Sequence, residues 1–268
     1  NIFKDRYPKR FLHQLISSQL DMDRLDYLRR DSFYTGVTEG NIGSARIIKM
    51  LNVVDDNLVV DSKGIYSIEN YLTSRRLMYW QVYLHKTTVA YEKLLINLLK
   101  RAKHLANEGH NLFAPPALHY FLYNHIDRET FLSREEALTN YELLDDNDIW
   151  SSVKVWMSHE DKILSLLSRS LIERKIFKVE VRNEPIPKEE MTALLGNIAN
   201  ATGLTPEDAS YLMSVDTIQK DMYDINDDHI SILYKDGTIK DITEASEILN
   251  ISLLSKKICK YYLCYQRI

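Results

Sequence analysis

The chain has 268 residues, and its 34 Lys and Arg against 38 Asp and Glu leave a formal charge of −4. That length holds one large or two small domains, and an apolar fraction of 45% is enough for a packed core, which excludes a disordered tail. Eight glycines and six prolines exclude a collagen, and argue against a glycine-loop nucleotide fold or a turn-rich β-sandwich; they favour long helices. The mild acidity gives no general reason to bind nucleic acid, so nucleic acid is not expected as a partner. Cys259 and Cys264 are too few for a disulfide framework or a zinc site, and reduced thiols in a cytoplasmic protein are the simple expectation. No apolar run reaches the ~20 residues that cross a bilayer, so no membrane partner is expected, and NIFKDRYPKRF has no signal-peptide core.

In chain order, SSQLDMDRLDYLRRDSFY (17–34) predicts a helix capped by Ser17 or Ser18. TGVTEGNIG ends it with three of the eight glycines. Residues 44–51 predict a short helix, and NLVVDSKGIYSI predicts a hairpin around Lys63-Gly64. From Glu69 to about Glu108 no Pro or Gly interrupts a helical pattern, which predicts one long helix stopped at Gly109. Further helices are expected after Pro115-Pro116, over 133–144, and from Asp148 through the SLIERKIF region. FKVEV then reads as a strand and MTALLGNIANATG as a helix, with TPEDASYLM and SVDTIQKDMY following. HISILYKDGTIKDIT reads as a hairpin around Asp236-Gly237, and KICKYYLCYQ as a strand. A boundary is expected near residue 175, between a mainly α body (1–175) and a small α+β part (176–268).

The densest chemical signal is LDMDRLDYLRRD. Asp23, Tyr27 and Asp31 follow at i, i+4 and i+8 and share one helix face, with Leu25 and Leu28 on another. A solvated charged face on a purely structural helix accounts for the same run. The second signal is Arg75, Tyr79, Tyr83 and Lys86, at steps of four, four and three. Cations at both ends with phenols between suit a nucleotide groove, and an amphipathic helix with half-buried tyrosines explains the spacing equally. His119 and His125 on an apolar helix, and His159-Glu160-Asp161 without a second His, are weaker candidates.

LISSQLDMDRLDYLRRDSFYTGV, followed by SRRLMYWQVYLHK, resembles the HD-domain phosphohydrolases. The nearest branch is the deoxynucleoside triphosphate triphosphohydrolases, which include the SAM-and-HD-domain enzyme and the bacterial dGTPases; RIIKMLNV, GIYSIENYL and ALHYFLYN fit its bacterial members. The resemblance covers roughly residues 11 to 180, and implies an HD-type helical bundle with a small C-terminal α+β subdomain. By position, Asp23 matches the last ligand of the family's H…HD…D metal set, which implies a divalent transition metal (Mn, Fe, Zn or Ni), alone or together with Mg. Arg24 matches a cation on the triphosphate, and Tyr27 a pocket residue near phosphates and sugar. Asp31 matches the acceptor of the deoxyribose 3′-OH, and Arg75 a phosphate-binding arginine. Tyr83 matches the tyrosine that crowds a 2′-OH. Lys86, in His85-Lys86, matches a position that in some members faces a regulatory nucleotide. Tyr79 stands where the mammalian enzyme has a histidine near the reacting phosphate.

None of the eight histidines is followed by Asp, so the chain holds one metal ligand of the four. A lone carboxylate does not hold a transition metal tightly. Together with the missing initiator Met, this raises the expectation that an H…HD segment precedes Asn1; a degenerate homologue is the alternative. The function implied is metal-dependent hydrolysis of a dNTP to deoxynucleoside and triphosphate by a homo-oligomer, with a regulatory nucleotide as a further partner. Two other readings stand beside it: a metal-free nucleotide-binding or oligomerisation module, and an HD nucleotidase or phosphodiesterase. A nucleic-acid binder built on the basic stretches KRAKH and SKKICK ranks behind all of these.

Overall fold

The structure, a computed structural model, describes residues 1–220, 229–246 and 258–267. It is mainly α and divides into two compact units, residues 1–85 with 219–259, and residues 86–218 with 260–268. The boundary expected near residue 175 does not coincide with this division, because the chain leaves the first unit after His85 and returns to it after Ile218.

The first unit opens with α1 (Arg10–Gln14), α2 (Met22–Thr35) and α3 (Ser44–Met50), then the strands β1 (Leu51–Val54) and β2 (Asn57–Asp61), then α4 (Ile65–Met78). The cap of α2 is Asp21, not Ser17 or Ser18, and Gly36 ends the helix with a left-handed φ of 71°. The β1–β2 hairpin turns on Asp55-Asp56, which take φ of 47° and 58°. Aspartate tolerates this region better than most residues, whereas the expected turn, Lys63-Gly64, forms a 3-10 turn leading into α4.

α4 is buried on nearly every side, through Ile68, Glu69, Tyr71, Leu72, Ser74, Arg75 and Met78. A helix enclosed this way shows no single apolar stripe in its sequence. Its end meets the turn at Thr38–Gly40 so closely that a Cβ on Gly40 would lie 2.6 Å from Met78 Sδ and 2.8 Å from Ser32 Cβ.

The long helix expected from Glu69 to Glu108 is interrupted. A π-helical turn, Tyr79–Tyr83, follows α4, and α5 (Lys86–Asn107) starts afresh in the second unit. No Pro or Gly marks the break. π-turns of this kind widen the helix locally and occur often at functional sites.

The second unit packs α5 against α6 (Pro116–Tyr123), with α7 (Arg128–Ser133), α8 (Glu135–Leu143), α9 (Asp146–Trp156) and α10 (Lys162–Ile172) following. Leu94, Leu98, Trp156, Leu164, Leu167 and Phe177 fill its core. Strand β3 (Lys178–Arg182), α11 (Lys188–Thr202), α12 (Pro206–Ala209) and β4 (Met213–Lys220) complete this stretch. The first unit resumes with β5 (Ser231–Leu233), β6 (Ile239–Asp241) and α13 (Ile242–Ala245), and β7 (Ile258–Tyr265) is the last described element. The hairpin expected around Asp236-Gly237 forms as β5–β6, and β5 lies parallel to β2, giving the order β1-β2-β5-β6. In the second unit the order is β3-β7-β4, so the FKVEV and KICKYYLCYQ strands pair. Parts of SVDTIQKDMY and of SKKICK lie outside the described residues. No described helix is long and apolar enough to cross a membrane.

Candidate active site

Six of the seven substrate-side residues singled out above sit in the first unit, on α2 and at the α4–π-turn junction. Leu25 and Leu28 bury one side of α2 in the core of that unit, which leaves Asp23, Tyr27 and Asp31 on the rest of its surface. Asp23 is exposed in the first turn, Tyr27 is half-buried, and Asp31 is partly exposed one helical turn before Thr35.

The two elements are joined by a hydrogen bond. Tyr83 donates its hydroxyl to Asp31 Oδ2 at 2.8 Å. The other Asp31 oxygen has no protein donor among the described residues. Burial first, and then this hydrogen bond, push the Tyr83 phenol well above its ordinary pKa. Tyr83 also meets the ring edges of Tyr27 at 6.0 Å and Tyr79 at 5.3 Å, so three phenols form one cluster. Burial and the neighbouring Tyr79 phenol push Tyr27 up to about 12, while Arg75 and Arg24 pull it the other way. Tyr27 and Tyr83 therefore stay neutral near pH 7 and act as hydrogen-bond donors.

Arg75 is the unusual member. It is 8% exposed, its Cζ lies 5.9 Å from the Tyr79 ring centroid, and its Nε and Nη1 have no hydrogen-bond partner among the described residues. A buried guanidinium left without acceptors is strongly disfavoured, so the position calls for an anion. Arg24 is a second cation in the same neighbourhood. Both arginines act on the Tyr27 and Tyr71 phenols, lowering them against burial. Burial disfavours the Arg24 charge, but its contact with Asp21 outweighs that and raises its pKa. Asp21 was not among the residues read from the pattern; its place before the first helical turn is the signal that marks it as a cap.

Lys86 belongs to the second unit. It is exposed at the start of α5, in the second unit, and lines a cleft of about 240 Å³ with Lys178 and Arg267. The spacing that links it to Arg75, Tyr79 and Tyr83 assumes a continuous helix, whereas a π-turn and a break at Leu84-His85 lie between them in the chain.

A catalytic metal site uses three or more protein ligands. Among the described residues no three His, Cys, Asp or Glu side chains gather to hold an ion, so Asp23 offers one carboxylate and these residues do not make a metal centre by themselves. His119 stacks on Tyr123 at 4.2 Å, and the His159 ring accepts the Asp161 N–H, so both have structural work.

A family model described as the HD associated region matches residues 42–112, which run from just before α3 to just past α5. The uncharacterized protein YwfO of Bacillus subtilis is 33% identical over 270 residues, covering 97% of this chain and 59% of its own length. The crystal structure of a phosphohydrolase from Bacteroides thetaiotaomicron aligns with a TM-score of 0.95 at 66% identity, covering 99% of this chain and 66% of that one. A deoxynucleoside triphosphate triphosphohydrolase SAMHD1 homolog of Dictyostelium discoideum is 27% identical over 95 residues, which are 34% of this chain and 18% of its own. The chain thus spans about three fifths of the length of the Bacillus relative.

Proposed function

The chain belongs to the HD phosphohydrolase family, and from that premise we propose that it supplies the phosphate- and sugar-binding part of a metal-dependent enzyme that cleaves a dNTP to deoxynucleoside and triphosphate. Arg75 carries this reading: its two unpartnered nitrogens are satisfied when phosphate oxygens take the place of the missing acceptors. Arg24 adds a second cation, and the hydroxyls of Tyr27 and Tyr79 donate to further oxygens. A triphosphate has enough anionic oxygens to engage both arginines at once.

Asp31 accepts a sugar hydroxyl on the oxygen that Tyr83 leaves open, and the Tyr83 ring held beside it crowds a neighbouring 2′-OH. That selects deoxyribose over ribose. The name of the Dictyostelium relative supports the dNTP class. Asp23 is one ligand of a divalent transition metal in this reading.

The test is ion chromatography of the products when the purified protein meets each dNTP with Mn²⁺. Tripolyphosphate is expected. Orthophosphate or a nucleoside monophosphate would make the protein a nucleotidase or phosphodiesterase, and binding without turnover would make it a regulatory module. Asp23→Ala is expected to lower bound metal and abolish turnover at an unchanged melting temperature, since this exposed side chain supports no packing. Retained metal with an unaffected rate would remove Asp23 from the ligand set.

The cleft lined by Lys86, Lys178 and Arg267 favours a second, regulatory nucleotide held by its phosphates. Equilibrium binding of a non-hydrolysable dNTP analogue should then show two sites per chain, and one in Lys86→Ala. A single site in both proteins would reject it.

A further inference from the structure

Asp21 is the one buried carboxylate of the LDMDRLDYLRRD run, at 5% exposure. Its oxygens collect three donors. Oδ1 accepts the Arg24 backbone N–H at 2.8 Å, while Oδ2 accepts the Arg24 Nε–H at 3.0 Å and the Ser18 N–H at 3.3 Å. The first of these bonds caps α2, a task that Ser or Asn performs as well as Asp. The second adds only the small stabilisation of an i,i+3 ion pair to the helix. It occupies the Nε edge of the guanidinium, and neither Nη group has a partner among the described residues. The Arg24 side chain is 28% exposed, so it is within reach of a ligand.

We propose that Asp21 is a positioning residue for phosphate binding: it clamps Arg24 by Nε so that the Nη edge meets the oxygens of the polyphosphate that Arg75 holds. An unclamped arginine must lose its rotamer freedom on each binding event, and a carboxylate that takes Nε removes that loss in advance. The charge on Asp21 also offsets the burial that works against the Arg24 cation. The inference rests on the reading of Arg24 and Arg75 as a phosphate cradle.

The probe is inorganic tripolyphosphate, titrated calorimetrically into the wild type, Asp21→Asn, Asp21→Ser, Arg24→Ala and Asp21→Asn/Arg24→Ala. Both Asp21 variants keep a cap, so their melting temperatures should stay close to the wild type. Their affinity should fall about tenfold, the effect of one charge-assisted hydrogen bond. With Arg24 already replaced, Asp21→Asn should cause no further loss, because the two residues act as one unit. In turnover, KM should rise about tenfold with kcat changed by less than about twofold, as expected for an interaction made equally in ground and transition states.

An unchanged affinity in both Asp21 variants, or an equal loss with and without Arg24, overturns the positioning role and leaves the cradle standing. Unfolding of both variants also overturns it, since Asp21 would then be structural. Full affinity in Arg24→Ala overturns the cradle itself.

Discussion

Replacing Arg75 with Met is expected to abolish tripolyphosphate binding and to raise the melting temperature at the same time. In the ligand-free protein, Arg75 keeps Nε and Nη1 buried without acceptors among the described residues. Methionine has a similar stem, leaves no polar atom to satisfy and fills the same space. Removing an unsatisfied buried donor recovers about 1–3 kcal/mol, which in a protein of this size is a rise of roughly 2–10 °C. The loss of two charge-assisted hydrogen bonds should weaken the anion by at least about a hundredfold. Arg75→Lys should rescue little, because a point charge does not reproduce the planar fork. Thermal scans with and without tripolyphosphate check both halves: the ligand should stabilise the wild type and leave the variant unmoved. A less stable Arg75→Met with full affinity would show that the guanidinium is a structural element.

Arg101→Ala is expected to act in the opposite direction. Arg101 is equally buried, at 8% exposure, yet its Nε and Nη2 meet the two oxygens of Asp161 at 3.1 and 2.5 Å, and its Nη1 meets Asp208 at 3.0 Å. Its Cζ lies 5.3 Å from the Tyr211 ring centroid. The network ties α5 to the cap of α10 and to α12, all within the second unit. Removing one partner from a buried pair leaves the other charge uncompensated, at a loss of about 3–5 kcal/mol. Burial works to raise the Asp161 pKa, but Arg101 and the Leu164 N–H outweigh it and hold that carboxyl below its ordinary range. A carboxylate lowered in the folded state adds stability above its unfolded value of about 3.9 and loses it as pH falls through the folded one. Urea unfolding should therefore separate the wild type from Arg101→Ala widely at pH 7, and much less near pH 3. An equal gap at both pH values would place the stabilisation in packing.

The sequence does not show that these two arginines differ in their acceptors. Each stands inside a helical stretch beside leucines and other cations, and nothing local says that Arg101 meets two aspartates while Arg75 meets no acceptor among the described residues. Asp161 and Asp208 are 60 and 107 residues away from Arg101, so only the packed second unit brings them together. The same holds at Asp31 and Tyr83, whose hydrogen bond spans 52 residues.

Local signals were legible where a short-range rule governs. The helix carrying Asp23, Tyr27 and Asp31, the Asp236-Gly237 hairpin and the β-rich C-terminal strand follow from periodicity and turn chemistry. The errors have physical causes as well. Ser17 and Ser18 are good caps in isolation, but Asp21 takes the position because it can serve the backbone and Arg24 together. Asp55-Asp56 makes the hairpin that Lys63-Gly64 resembles, since two aspartates tolerate positive φ.

The stretch from Glu69 to Glu108 shows where local information stops. Its residues are all helix-compatible, and a periodic pattern without Pro or Gly contains no instruction to break. The π-turn at Tyr79–Tyr83 and the new start at Lys86 arise because α4 is enclosed in one core and α5 belongs to another. Side-chain order along the chain thus decided the mainly helical class, the charged face of α2 and the residue types available for phosphate chemistry. Long-range packing decided which of them meet: it gathered Arg24, Arg75 and three tyrosines within the first unit, and left the buried Arg75 guanidinium without an acceptor among the described residues. Helical propensity acts over a few residues, whereas burial and charge pairing act across the fold.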